Sequence, residues 1–183
     1  HDLFKAIGFT EFENYIPHRH HEGFGLNKEA VKELRERGAT LIMTIDCGTV
    51  DHDTVTYANE LGVDVIITDH HEPEETLPPP YAILNPKRDH AYQFRELCGS
   101  GVLYKFVCAF LDEARKEKLH ALPIGFEKWL LDMVGIATIA DMVPLRGENR
   151  VIARYGLLVM RKSPRLGLQK LCKVARVNQR SIT

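Results

Sequence analysis

The sequence predicts an α/β fold: a parallel sheet with flanking helices, followed by a helical carboxy-terminal portion. Residues 40–45 and 63–68 are short, nearly continuous apolar runs, which are typical of strands buried on both faces of a parallel sheet. Residues 49–61 suit the crossover helix between these strands, and Gly62 would end it. Strand, helix and strand in this order predict a βαβ unit.

The other elements are predicted in chain order around this unit. After an irregular opening, a helix over 28–37 is predicted, capped by Asn27 and ended by Gly38, because glycine adopts a positive φ without steric cost. A loop rich in Pro and Glu over 72–80 leads to a short strand at 81–84 and a polar turn at 85–90. Apolar residues at helical spacing then predict helices over 101–118, 126–140, 151–162 and 166–174.

Composition limits the classes of function. The 183 residues are 44% hydrophobic and 27% charged, which fits one globular domain, or one domain and part of another. A net charge of −1 gives no overall attraction to a polyanion, so any nucleic-acid binding would depend on local patches. No run reaches the roughly 20 apolar residues that span a bilayer, so we expect a cytoplasmic protein without a membrane partner. The cysteines form no CxxC pair, and we expect free thiols at Cys47, Cys98, Cys108 and Cys172.

Polar side chains follow both predicted strands of the βαβ unit. Asp46 comes directly after the first strand, and Asp69, His70 and His71 come directly after the second. Parallel sheets bind ligands beyond the carboxyl ends of their strands, and carboxylates with imidazoles bind divalent metals. An isolated Asp-His-His sequence is about as often a solvated turn, but a carboxylate after an apolar run is expensive to desolvate unless it is paired or metal-bound. We therefore predict a metal site at this edge, with Gly48 allowing a tight turn beside it.

Asp141 is a third candidate ligand. It interrupts an apolar helix near its end, where a carboxylate opposes the helix dipole and needs a cation. A metal would serve, and so would Arg146 or Arg150. Asn85 and Ser100 are weaker candidates for contacts with a bound strand, because a turn and a helix start explain them equally well.

Six motifs, in the family's order, resemble the DHH phosphoesterase superfamily, and within it the RecJ-type single-strand exonucleases. The block Pro-x-Arg-x-x-Glu-Gly-[Phe/Tyr]-Gly separates this branch from related pyrophosphatases. The motifs in this chain are Tyr15-Ile-Pro-His-Arg-His-His-Glu-Gly-Phe-Gly-Leu-Asn27, Ile45-Asp-Cys-Gly48, Asp69-His-His71, Leu84-Asn-Pro86, Leu97-Cys-Gly-Ser-Gly-Val102 and Ala137-Thr-Ile-Ala-Asp-Met-Val-Pro-Leu145.

The resemblance implies a single-stranded-DNA-specific exonuclease of DNA repair and recombination, digesting 5′ to 3′ by a two-metal mechanism with Mn²⁺ or Mg²⁺. It implies that Asp46 bridges the two ions and that His70 and Asp141 complete the shell of one of them. His71 and Arg19 would contact the substrate phosphate. Asp69 would orient a ligating imidazole rather than bind metal itself. Single-stranded DNA is the expected partner, and no protein partner is predicted.

Two parts of the family pattern have no match in this sequence. An Asp-x-Asp-x-Asp-Gly motif is expected before Arg19, and a Gly-Gly-His motif is expected in a following domain. We therefore expect residues 1–145 to be an amino-terminally incomplete DHH domain and 146–183 to be its end and the start of an interdomain connection. A catalytically incomplete fragment explains this better than a natural homologue that has lost catalysis.

Two other functions stay open at this point. One is a phosphodiesterase for small substrates, such as oligonucleotides or cyclic dinucleotides. The other is a non-catalytic DHH-like protein that acts as a nucleic-acid-binding or replication scaffold. An Asp-x-Asp motif upstream of His1 would favour an enzyme, and its absence would favour the scaffold.

Overall fold

A computed structural model describes residues 1–18, 20, 22–88, 91–119 and 122–183 of the chain. It contains two compact units, His1–Leu103 and Tyr104–Thr183. These units are compact parts of the structure and do not test the predicted end of the DHH domain after residue 145, which stays a prediction. Arg19 lies outside the described residues.

The first unit is built on a three-stranded parallel sheet in the order β1-β2-β3, which confirms the predicted fold class. Ile45 of β1 lies opposite Thr68 of β2, and Thr68 lies opposite Leu84 of β3, so the three strands end side by side. This places whatever follows each strand at one edge. The elements are α1 (Asp2–Ala6), α2 (Lys28–Glu36), β1 (Leu41–Ile45), α3 (His52–Glu60), β2 (Asp64–Thr68) and β3 (Ala82–Leu84).

Helices α2 and α3 and the sheet enclose the core of this unit. The side chain of Asn27 accepts a hydrogen bond from the Ala30 N–H at 2.7 Å, and Gly38 follows the helix at φ +98°, as predicted. The buried cluster is Val31, Leu34, Ile42, Val55, Ala58, Val63, Val65 and Ile67. Full burial of one valine, leucine or isoleucine side chain contributes about 1.5–3 kcal/mol to the free energy of unfolding.

The second unit is helical, as predicted, but some bounds differ. The expected single helix over 126–140 is wrong at its start: Phe126–Leu130 is a 3-10 turn, and only Leu131–Ala140 is α-helical. Gly125 precedes the turn at φ +89°, and the Phe126 N–H bonds to the Pro123 carbonyl, so the chain enters through a tight turn. The longer helices are α4 (Gly99–Lys116), α5 (Leu131–Ala140), α6 (Gly147–Met160) and α7 (Leu166–Val174). The division between the units falls within α4.

Close backbone contact and one buried carboxylate hold the second unit together. A Cβ on Gly135 of α5 would lie 2.8 Å from the Gly156 Cα of α6, so neither helix tolerates a side chain there. The Asp132 carboxylate, 2% exposed, accepts hydrogen bonds from the Ser163 hydroxyl at 2.6 Å and Arg165 Nε at 2.9 Å. These bonds fasten α5 to the segment between α6 and α7.

Within the described residues, no helix combines the length and apolar character that crossing a membrane requires. The four cysteines, all within the described residues, form no disulfide, as predicted.

Candidate metal centre

Asp46 and Asp69 extend the ladder of the sheet by one residue beyond the strands. The Asp46 N–H bonds to the Thr68 carbonyl at 2.9 Å, and the Asp69 N–H bonds to the Leu84 carbonyl at 3.0 Å. Asp46 has φ +66°, a left-handed conformation that costs a residue with a Cβ about 1–2 kcal/mol. Strain of this kind persists where the surrounding structure imposes it, and it is concentrated at functional sites.

The side chain of Asp46 is 52% exposed. The predicted free-energy cost of removing this carboxylate from water therefore does not arise. The strand is buried, but the turn after it directs the carboxylate to the open edge of the sheet. The left-handed backbone of Asp46 is therefore a better indication of function than desolvation.

Three potential metal ligands converge at this edge. Asp46 Oδ1 lies 3.1 Å from His70 Nε2, and the centroids of the His70 and His71 rings are 4.6 Å apart. One ligand atom from each of Asp46, His70 and His71 lies within 4.8 Å of the others. The structure thus brings together the carboxylate of one strand end and the two imidazoles of the next.

Asp69 is 1% exposed and acts as an acceptor for the groups around it. Its Oδ1 accepts from the His70 N–H at 2.7 Å and from His71 Nδ1 at 2.7 Å, and its Oδ2 accepts from the Thr49 N–H at 3.0 Å. Burial acts to raise the pKa of Asp69, but the hydrogen bonds from Thr49, His71 and His70 outweigh it and lower the pKa. An ionised carboxylate only accepts, so Nδ1 of His71 carries the proton and Nε2 faces outward as the nitrogen that can meet a ligand.

Thr49 and Asn85 connect the ends of all three strands, a role of Thr49 that was not predicted from the sequence. Thr49 is fully buried, and its hydroxyl accepts a hydrogen bond from Asn85 Nδ2 at 3.0 Å. Asn85 Nδ2 also donates to the His71 carbonyl at 2.8 Å, and its Oδ1 accepts from the Lys87 N–H at 2.9 Å. Asn85 was a weak candidate for contacting a bound nucleic-acid strand. It is 5% exposed, and its hydrogen bond to the His71 carbonyl stabilises the Asp-His-His turn. The feature of the sequence that could have indicated this role is a small hydroxyl residue directly after Asp46-Cys-Gly48.

We expect Thr49→Val to lower the free energy of unfolding by about 1–3 kcal/mol, because it leaves a buried Asn85 donor and the Asp69 carboxylate without their hydroxyl partner. Thr49→Ser keeps that hydroxyl and is the matched control, with most of the loss restored. Urea denaturation followed by circular dichroism measures both variants. Equal stability of the valine and serine variants would contradict the hydrogen-bonding role.

Gly99, the first residue of α4, lies against Asp46. A Cβ on Gly99 would fall 2.2 Å from Asp46 Oδ1, so only glycine allows the helix to begin there. The amino terminus of a helix carries a partial positive charge that stabilises a nearby anion. Gly99 thus permits a close approach of the helix to the carboxylate. The contact of the next residue, Ser100, with a bound strand stays a prediction.

The remaining predicted residues have separate settings. Asp141 belongs to the second unit, where it ends α5 as an exposed C-cap residue. Ser100 lies in the first turn of α4 and is half-buried. Cys47, predicted to be a thiol, is partly buried, and burial raises its pKa to about 11. These observations leave the roles of Asp141, Ser100 and Arg19 as predictions.

Known proteins resemble this chain in both sequence and structure. A family model described as "DHH family, N-terminal domain" matches residues 2–138. The single-stranded-DNA-specific exonuclease RecJ of Bacillus subtilis is 44% identical over 176 residues, which is 96% of this chain and 21% of that protein. The exonuclease of the same name from Escherichia coli is 37% identical over 178 residues, covering 93% of this chain and 30% of that protein.

Two solved structures resemble it as well. A crystal structure of exonuclease RecJ bound to manganese matches with a TM-score of 0.80 and 31% identity, covering 97% of this chain and 43% of that chain. The structure of RecJ from Thermus thermophilus in complex with Mn²⁺ matches with a TM-score of 0.70 and 29% identity, covering 84% of this chain and 22% of that chain. The chain spans between a fifth and a third of the length of these curated relatives. Since the family model covers most of its residues, including the strand ends that carry Asp46, His70 and His71, the chain belongs to the DHH family.

Proposed function

We propose that the chain forms part of the metal centre of a cytoplasmic, single-stranded-DNA-specific exonuclease that cuts phosphodiester bonds from the 5′ end. The observation that supports this most is the convergence of Asp46, His70 and His71 within 4.8 Å at the carboxyl edge of the sheet. The similarity to exonucleases named for single-stranded DNA supports the substrate class.

The donor set fits Mn²⁺ or Mg²⁺. A carboxylate oxygen and imidazole nitrogens suit a hard or borderline divalent ion. When bound, such ions lower the pKa of a coordinated water and stabilise negative charge on the attacked phosphate. Asp46, His70 and Asp141 are the residues that we propose to hold them.

The other residues position the substrate and the ligands. Asp69 holds Nδ1 of His71 at 2.7 Å, so the Nε2 side of that ring is fixed in direction and suited to contact a phosphate oxygen. The guanidinium of Arg19 would contact the same or the adjacent phosphate through paired N–H groups. The amino terminus of α4, beginning at Gly99, adds a positive potential beside the negatively charged reactants.

The test is hydrolysis of a 5′-phosphorylated single strand by this chain with and without Mn²⁺. We expect slow, manganese-dependent release of nucleotides from the 5′ end of the single strand, none from the matching duplex, and complete loss on chelation with EDTA. Turnover is expected to be slow because the sequence supplies no Asp-x-Asp motif before Arg19. A dinucleotide degraded faster than the long strand would indicate a small-substrate phosphodiesterase instead. Strand binding without any metal-dependent cleavage would indicate a scaffold.

A further inference from the structure

His71 is oriented by hydrogen bonds rather than by packing. Its side chain is 59% exposed, so packing restricts the rotation of the ring only weakly. One hydrogen bond, from His71 Nδ1 to Asp69 Oδ1 at 2.7 Å, holds the imidazole, and another, from Asn85 Nδ2 to the His71 carbonyl at 2.8 Å, holds the backbone. Because both bonds end on the same residue, the direction of Nε2 depends on Asp69 and Asn85 together.

The side chain of Asn85 is buried, and both of its polar atoms have partners. Its Oδ1 accepts from the Lys87 N–H at 2.9 Å. A backbone N–H can only donate, so Oδ1 faces it and the two N–H groups of the amide are left for other acceptors. They donate to the Thr49 hydroxyl at 3.0 Å and to the His71 carbonyl at 2.8 Å. Neither an aspartate, which has no donor, nor an alanine can replace the amide here.

These contacts close a ring of hydrogen bonds that returns to His71. The Thr49 hydroxyl accepts from Asn85 and donates in turn to the Asp69 carboxylate, which can only accept. Asp69 accepts from His71 Nδ1, and the His71 carbonyl accepts from Asn85. Thr49, Asp69 and Asn85 are all buried, so water does not readily replace a missing member. The loss of any one of them therefore weakens the support of the imidazole.

We propose that Asn85 is a positioning residue for His71, which fixes the ring nitrogen that carries the proton and the direction of the other one. The inference rests on the proposed function, in which Nε2 of His71 contacts a phosphate oxygen of the single strand. Partners behind a metal-site histidine fix its tautomer and ring orientation, and their mutation typically costs about 10- to 100-fold in metal affinity or activity. Asn85 follows β3, so it joins the end of the third strand to a site whose other side chains follow β1 and β2.

The first test determines which nitrogen of the His71 ring carries the proton. Long-range proton–nitrogen NMR spectra of the metal-free chain distinguish a protonated ring nitrogen from an unprotonated one, and His71→Ala identifies the signals of His71. We expect one tautomer, protonated at Nδ1, in the wild-type chain and a mixture of both tautomers in Asn85→Ala. Thr49→Val opens the same ring at another link and should also give a mixture, so the test does not depend on whether Asn85→Ala folds.

Asn59→Ala is the matched control. The Asn59 amide donates to the Pro79 carbonyl at 2.7 Å, which is the kind of bond that Asn85 makes to His71, but Asn59 lies near the end of α3, just before β2. This variant should keep the single tautomer of His71. A single Nδ1 tautomer in both Asn85→Ala and Thr49→Val would overturn the positioning role.

The second test is the affinity for a 5′-phosphorylated single strand in the presence of Mn²⁺, measured by fluorescence anisotropy. We expect Asn85→Ala and His71→Ala each to raise the Kd roughly tenfold. The double variant should raise it no further than His71→Ala does, because Asn85 acts through His71. Asn59→Ala should leave the Kd at the wild-type value.

The two tests separate the positioning role from the proposed function. Losses of affinity that multiply in the double variant would overturn the positioning role alone, since Asn85 would then act independently of His71. A wild-type chain that does not bind the strand would overturn the proposed function. The tautomers are measured without metal or DNA, so they decide the positioning role in either case.

Discussion

Asp46→Asn is expected to lower the affinity of the chain for Mn²⁺ by more than about 100-fold, since even residues that only orient metal ligands are typically worth about 10- to 100-fold. The substitution removes the negative charge that a hard cation requires and keeps the shape of the side chain. Asn tolerates the left-handed conformation at φ +66°, so the fold should be preserved. Isothermal titration calorimetry with Mn²⁺ measures the loss.

The control for this experiment is Asp64→Asn. Asp64 is an exposed carboxylate that begins β2, at the opposite edge of the same sheet. Asp64→Asn should keep the free energy of unfolding within about 0.5 kcal/mol of the wild-type value, because surface substitutions away from special features usually do. If Asp46→Asn bound Mn²⁺ as tightly as Asp64→Asn, the assignment of the metal centre to this edge would be wrong.

The sheet and the meeting of Asp46 with His70 and His71 could be predicted from the sequence for a simple physical reason. Strands buried on both faces of a parallel sheet leave near-continuous apolar runs, and the structure ends each strand at the predicted residue, Ile45 and Thr68. Parallel neighbours in register end together, so residues that follow them are brought to one edge whatever the rest of the chain does.

The supporting contacts could not be predicted, because they depend on how turns meet in space. Asp51 would ordinarily be expected to cap α3, yet it bonds to the Leu26 N–H, 25 residues away in sequence. Thr49 looks like the start of a helix, yet it is a buried link between Asp69 and Asn85. The 3-10 turn at Phe126–Leu130 has the apolar spacing of the α-helix that follows it, so periodicity alone does not separate the two.

Asp69→Ala is expected to lower the free energy of unfolding of the first unit by about 3 kcal/mol or more, because each buried donor left without an acceptor costs about 1–3 kcal/mol. The carboxylate is 1% exposed and accepts from the backbone N–H groups of Thr49, His70 and His71, as well as from His71 Nδ1. Truncation leaves these donors without an acceptor at the edge of the sheet. Urea denaturation measures the change, and Asp53→Ala, which removes an exposed carboxylate from α3, is the control.

Asp69→Asn separates the charge from the shape of this side chain. The amide oxygen can still accept from His70 and His71, but the amide NH₂ then faces the Thr49 N–H, donor against donor, so we expect a loss of about 1–3 kcal/mol. It also weakens the acceptor that holds the proton on Nδ1 of His71, so the ring loses its fixed direction. An asparagine variant with wild-type stability would show that the hydrogen bonds of Asp69, rather than its charge, hold the Asp-His-His turn in place.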